Sequence, residues 1–419
     1  MKLRRPILTV VVVATLFLVA VIAIRKISLS SANTDRLRAI AARGEPTSVA
    51  ELNTFYSAVP DQSNAALLWL KGSSALSDDL DSALNIFHQA ARLDQSRFPV
   101  TLSPEAFTNL QYLAAMKRAA QVLRDEARRA IDTTNTALAS QAISGIFAAG
   151  HSIAHEPLVI SQLVGYAIDA IGVETLEFAL NAAQFNESEL VAMQAAVSKA
   201  DDPERAARGF IGERAFFISG LKDPAKSMAA ARGTPPSGIE EIVQEAFVFP
   251  LTRLTGFWQR DLRFGIDALT TNIAFARLPD PQRVQSVTNS SALIAQAKSR
   301  YYIMSGLLLP ALEKYLLRDA NHRASVRTAL VGIAVERFRL AHDGTAPGDL
   351  SSLVPIYLDR VPADPYDGLP LRYKLLDRGY VVYSIGPDSK DDGGVEPPRG
   401  PKPKALWDVT FVVEKPESR

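Results

Sequence analysis

The 419-residue chain predicts a mainly α protein with an N-terminal transmembrane helix, an irregular helical bundle or solenoid body, and a small C-terminal α+β module with a three-stranded antiparallel sheet. Three observations predict it. Residues 7–24 are apolar except for Thr9 and Thr15. Residues 34–341 carry apolar side chains at helical spacing, with alanine abundant. After Gly344 the pattern changes to alternation around turn residues.

Lys2, Arg4 and Arg5 precede the apolar run, and Arg25 and Lys26 close it. Eighteen helical residues rise about 27 Å, close to the hydrocarbon thickness of a bilayer. A cleaved signal peptide would have a shorter apolar region followed by a small-residue site. Here two basic residues intervene before Ser30 and Ala32. Residues 1–30 therefore read as an uncleaved signal anchor spanning at 7–24, and no second run of that length follows. Basic residues favour the cytoplasmic face, and Lys2, Arg4, Arg5 and the terminal amine nearly balance Arg25, Lys26, Arg36 and Arg38. The expected placement is single-pass in a bacterial inner membrane, with the N-terminus cytoplasmic and the body periplasmic.

Within the body at 34–341, Ala65, Leu67, Leu68 and Leu70 open one apolar face, and Leu84, Phe87, Ala91 and Leu93 carry another. Thr47 before Glu51, and Ser103 before Pro104 and Glu105, have the form of helix starts. Residues 64–94 approach a tetratricopeptide unit through Leu68, Gly72, Ala75, Ala83, Phe87 and Ala90. The register needs a one-residue slip and no second copy follows, whereas a stable array needs three or more. The proline- and glycine-rich stretch 222–237 separates possible halves at 34–221 and 238–341. Phe247, Phe249, Phe257, Trp258 and Phe264 read as core aromatics. The module at 342–419 is backed by a helix over 323–341. Prolines pace residues 354–365, strands at 371–376 and 379–385 flank a hairpin turn, and a third strand at 406–414 follows an exposed loop over 390–404.

Lysine and arginine total 46 against 45 aspartates and glutamates, a formal charge of +1 that argues against a dedicated nucleic-acid binder. The absence of cysteine rules out disulfides, thiolate metal sites, cysteine nucleophiles and a lipidated N-terminal cysteine. Neither a phosphate loop nor a dinucleotide-binding glycine turn occurs, so no nucleotide is expected. Gly150-His151-Ser152-Ile153-Ala154 approximates a nucleophile elbow, but it follows an alanine-rich helical stretch rather than a strand and ends on alanine. His151 and His155, four apart, would share a helix face and could hold a metal with Glu156 or Glu174. Glu213 beside Arg214, ahead of an apolar run, reads as part of an interhelical ion pair.

At the C-terminus the ordered run His342-Asp343-Gly344, Pro347, Leu350, Leu353, Tyr357-Leu358, Val361-Pro362, Asp364-Pro365-Tyr366, Gly368, Pro370 and Tyr383-Ser384-Ile385-Gly386-Pro387-Asp388 resembles the globular part of type II secretion major pseudopilins. The resemblance covers the C-terminal module alone. It implies a helix backing a small antiparallel sheet, and calcium held by the acidic loop at positions matching Asp388, Asp391 and Asp392. Three hard oxygen ligands in a Gly-Pro loop suit that ion, although Lys390 and the lack of a twelfth-position glutamate set the loop apart from an EF-hand. The chain departs from a pilin subunit: it lacks a prepilin cleavage motif, and residues 31–341 separate span from module. Asn64-Ala65-Ala66, residues 151–165 with Glu156-Pro157, and Gly212 through Phe217 resemble membrane-anchored bacterial families to which no activity is attached.

These readings lead to a membrane-tethered, non-enzymatic interaction or scaffold protein that contacts other envelope proteins, with no cofactor beyond a possible calcium. The alternatives are an accessory component of a type II-like secretion system and a metal-assisted hydrolase built on His151 and His155.

Overall fold

The computed structural model describes residues 4–103, 110–222, 252, 255–395 and 407–414. The helix start at Pro104 and Glu105, the linker from 223 onward, Phe247, Phe249 and the loop over 396–404 lie outside them. The chain is mainly helical, with one N-terminal apolar helix and a small three-stranded antiparallel sheet near the C-terminus.

The first helix, α1, runs Arg4–Ala41 without a break, about 57 Å at the usual helical rise. It is long and apolar enough to cross a membrane, and Val12, Val13, Leu16, Phe17 and Ile24 stand exposed along it. Its C-terminal third is different. Ile40 is buried with Leu37 against Ile218 and Ile266, the Arg36 guanidinium grips Asp267 through two bonds of 2.7 and 3.0 Å, and Asn33 Nδ2 donates to the Gln259 carbonyl. The apolar helix and the body are thus joined without a break.

After α1 come α2 (Val49–Phe55), α3 (Ala65–Ala75), α4 (Leu80–Ala90), α5 (Gln111–Asp132), α6 (Thr136–Ala154), α7 (Val159–Ala182), α8 (Glu187–Ser198) and α9 (Arg205–Gly220). Ser48, rather than Thr47, caps α2; Thr47 instead donates to Glu51 Oε2 from its backbone N and hydroxyl. α3 and α4 form a helical hairpin in which Trp69 stacks on Phe87 and Gly72 leaves room for the Phe87 ring. α8 starts on a full capping box between Asn186 and Glu189, which satisfies two N–H groups the helix cannot satisfy itself. Beyond the undescribed segment lie α10 (Phe257–Ala276), α11 (Gln282–Gln285), α12 (Val287–Ser299) and the 39-residue α13 (Ile303–Ala341).

Strands β1 (Arg372–Leu376), β2 (Gly379–Ser384) and β3 (Val409–Glu414) pair antiparallel in the order β1-β2-β3, with Leu376 opposite Gly379 across the tight turn. The sheet lies on α13: Phe411 fills the space above Gly332, and the Tyr380 hydroxyl donates to the Gly332 carbonyl at 2.9 Å. Tyr380, Val382, Phe411 and Val413 share one continuous core with Phe147 of α6, Leu176 of α7 and Met193 of α8. The free edge of β3 is closed by α7, where Glu177 Oε1 accepts from Val412 N, Asn181 Nδ2 donates to Val412 O, and Asn181 Oδ1 accepts from Glu414 N. An unpaired strand edge invites association with another chain, and here side chains take the place of a fourth strand.

Candidate functional site

Helix α7 carries Gln162, Gly165, Tyr166 and Asp169 on one face, where it meets α6, α9 and α13. Asp169 is fully buried, and its Oδ2 accepts from Arg205 Nη1 at 2.7 Å and lies 2.9 Å from His322 Nε2. Arg205 Nε donates to Gln162 Oε1 at 2.9 Å, and its guanidinium lies over the Tyr166 ring. Burial pushes the Asp169 carboxyl up, but Arg205 and His322 outweigh it and hold it below its ordinary value. Among the described residues, Asp169 Oδ1 and Arg205 Nη2 have no hydrogen-bond partner. A Cβ at Gly150 would overlap that oxygen, and one at Gly165 would overlap that nitrogen. Glycine at both positions lets two helices close over an ion pair that no larger residue would admit.

The network continues through α13. His322 stacks on Tyr166 with centroids 4.3 Å apart, the Tyr166 hydroxyl donates to Asp319 Oδ1 at 2.8 Å, and Arg283 Nη1 donates to Asp319 Oδ2 at 3.0 Å. One turn on, Arg323 binds Asp280 through two 2.7 Å bonds, and Arg327 joins Asp201, Asp280 and the Ala363 carbonyl. Ala363 precedes Asp364, which is fully buried and accepts from Tyr366 N, Ser384 Oγ, Ile385 N and Arg372 Nη1. The Asp-Pro-Tyr run singled out in the sequence thus fastens its loop to the end of β2.

A cleft with charged groups at its rim and alanine-rich walls opens between α4, α6 and α8. A hollow of about 260 Å³ is lined by His88, Arg92, Asp94, Ser144, His151 and Lys199, and an adjoining hollow of about 400 Å³ shares His88 and Arg92 and reaches Glu126. His88 Nε2 approaches Glu126 Oε2 to 2.9 Å, outside hydrogen-bond alignment. Lys199 Nζ meets Asp94 Oδ1 at 2.5 Å and holds that carboxyl below its ordinary value. Burial holds His151 below its usual pKa, and its Nδ1 has no hydrogen-bond partner among the described residues.

The structure brings together only some of the residues that sequence grouped. His151 and His155 sit edge to face with centroids 5.0 Å apart, and burial pushes His155 down to about 4. Glu156 turns away from them into a closed pocket, where burial pushes it up and the Tyr112 hydroxyl donates to it at 2.8 Å. Glu174 pairs with Arg128 at the surface. Ser152 lies inside α6, accepting from Trp69 Nε1 and donating to the Ala148 carbonyl, in helical rather than elbow geometry. Arg214 makes its ion pair with Glu45, in the loop between α1 and α2, at 2.6 Å, and not with its neighbour Glu213 or across two helices. Glu213 accepts from Val159 N and is pushed up by burial to about 7.

In the acidic loop, Asp388 accepts from Lys390 N, Asp391 accepts from Gly393 N, and Asp392 N donates to Asp408. Among the described residues no three His, Asp or Glu side chains converge as a metal-ligand set. No family model, curated protein or solved structure matches the chain.

Sequence reasoning missed the Asp169–Arg205–His322 hub and the Lys199–Asp94 pair. One signal for the hub was available: Asp169 is the only charge over residues 159–173, flanked by small and apolar residues. A lone charge on an apolar helix needs a buried partner.

Proposed function

We propose that the protein is a membrane-tethered, non-enzymatic interaction module that holds a rigid helical body at a fixed height above the bilayer for other envelope proteins to bind. The N-terminus lies in the cytoplasm and the body in the periplasm. The observation that carries this reading is the unbroken course of α1 from exposed apolar helix into packed core, fixed by Ile40, Asn33 and the Arg36–Asp267 bridge. A flexible linker would serve an enzyme that only needs confinement to a surface, whereas a clamped helix fixes orientation as well. The charged centre supports the same reading, because Asp169 and Arg205 are spent on holding helices together and are sealed from solvent.

The test is in-cell crosslinking of the full chain, followed by purification in mild detergent. The expected result is a reproducible set of envelope proteins, reduced when Ile40→Ala loosens the α1 dock. Loss of any specific set, together with substrate turnover by the purified chain that disappears in His151→Ala, would overturn the proposal in favour of a hydrolase.

A further inference from the structure

A hollow of about 1040 Å³ forms an open groove between α1, α10 and α12. Arg25, Arg260, Arg263 and Arg300 line it. None of the four has an ion-pair partner among the described residues, and Arg260 Nε is buried without a hydrogen bond. Asp267, the one carboxylate in the lining, has both oxygens taken by Arg36. Among the described residues the groove therefore presents uncompensated positive charge.

Its place along α1 defines what it can bind. Val21 and Ile24 belong to the apolar run, and Arg25 and Ser28 follow directly. From Val21 to Leu29 the helix rises about 12 Å, so one end of the groove lies at acyl-chain depth and the other among headgroups. A ligand that fills it must be apolar at one end and anionic at the other. Basic pockets beside membrane helices recognise lipid headgroups in this way.

We infer that this groove is a binding site for an anionic phospholipid, its phosphate held by Arg260, Arg263, Arg300 and Arg25 and its acyl chains lying along Val21 and Ile24. The inference rests on the reading of α1 as a membrane span. The bound lipid would close the gap between span and body and fix the depth at which the body sits.

The full chain is first tested for co-flotation with vesicles of phosphatidylcholine alone and of phosphatidylcholine with phosphatidylglycerol. Lipid binding to the detergent-solubilised chain is then titrated by native mass spectrometry with the two lipids in matched acyl chains. The expected result is flotation with both vesicles and at least about tenfold tighter binding of phosphatidylglycerol. The triple variant Arg260→Gln/Arg263→Gln/Arg300→Gln should lose that preference, while Lys117→Gln/Arg118→Gln, distant on α5, keeps it. An unchanged unfolding midpoint in the triple variant separates lost binding from lost fold; if the triple variant unfolds, Arg300→Gln alone, exposed at the end of α12, must reduce the preference. Millimolar glycerol 3-phosphate should not displace the lipid. Equal affinity for the two lipids, a preference that survives the substitutions, or full displacement by glycerol 3-phosphate each overturns the lipid site and leaves the membrane span standing. Failure to float with either vesicle overturns both.

Discussion

Replacing Asp169 by Asn tests whether the buried ion pair, rather than apolar packing alone, holds α7, α9 and α13 in register. The substitution is nearly isosteric, so the shape of the interface is kept while the charge facing Arg205 is removed. Arg205 is 1% exposed and its Nη2 already lacks a partner. An uncompensated charge in such a place costs about 3–5 kcal/mol, a large fraction of the 5–15 kcal/mol by which proteins are usually stable. Urea unfolding of the detergent-solubilised full chain, followed by circular dichroism, reads the loss as a fall in midpoint at constant slope. The decisive measurement is the double-mutant cycle. Arg205→Met alone strands Asp169 and should cost a similar amount, whereas the pair Asp169→Asn/Arg205→Met strands no charge and should recover at least about 1.5 kcal/mol relative to the summed single losses. Losses that add to within about 0.5 kcal/mol would falsify the coupling and reduce the network to incidental polar contacts.

Three further outcomes follow from the same structure. Glu213 holds its proton to about pH 7 in the fold against an ordinary 4.5, so the folded state binds more protons between those values and stability falls as pH rises through that window. Glu213→Gln should match the parent near pH 4.5 and exceed it at pH 8 by up to about 3 kcal/mol, less for partial solvent contact; identical pH profiles would refute the assignment. Gly165→Ala should destabilise by about 1–3 kcal/mol through overlap with Arg205, while Gly306→Ala in α13, with open space around it, should stabilise by up to about 1 kcal/mol. Matching signs in thermal unfolding would argue against the close approach. Because the chain has no cysteine, Ser77→Cys in the exposed turn between α3 and α4 gives a single reactive thiol. It should be labelled by a membrane-impermeant maleimide in intact spheroplasts, and labelling only after lysis would place the body in the cytoplasm.

The features legible in the sequence are those set by local chemistry. The apolar helix follows from run length, the β1–β2 hairpin from alternation around Asp377-Arg378, and the helical body from periodic spacing. The assembly was not legible, because it depends on partners far apart in the chain. Asp169 meets Arg205 and His322 from three separate helices, and periodicity carries no information about which helices become neighbours. The C-terminal segment reads as a separate module because its texture changes, yet Phe411 and Val413 complete a core shared with α5, α6, α7, α8 and α13. Composition marks a change of secondary structure, not a boundary in packing. The candidate sites fared similarly: His151 does line a cleft, but its companions are Asp94 and Lys199, not the glutamates nearest in sequence.

The unbroken α1 also has a mechanical meaning. If α1 spans a bilayer as proposed, a helix unbroken from bilayer to core acts as a lever, and its angle to the membrane normal is set by how its apolar length fits the local hydrocarbon thickness. When the bilayer thins, the span must lean to keep its apolar surface covered, and the body, welded on through Ile40 and Arg36, must lean with it. On that reading the face that the body offers to its surroundings would be coupled to membrane thickness, because α1 has no break to absorb the change.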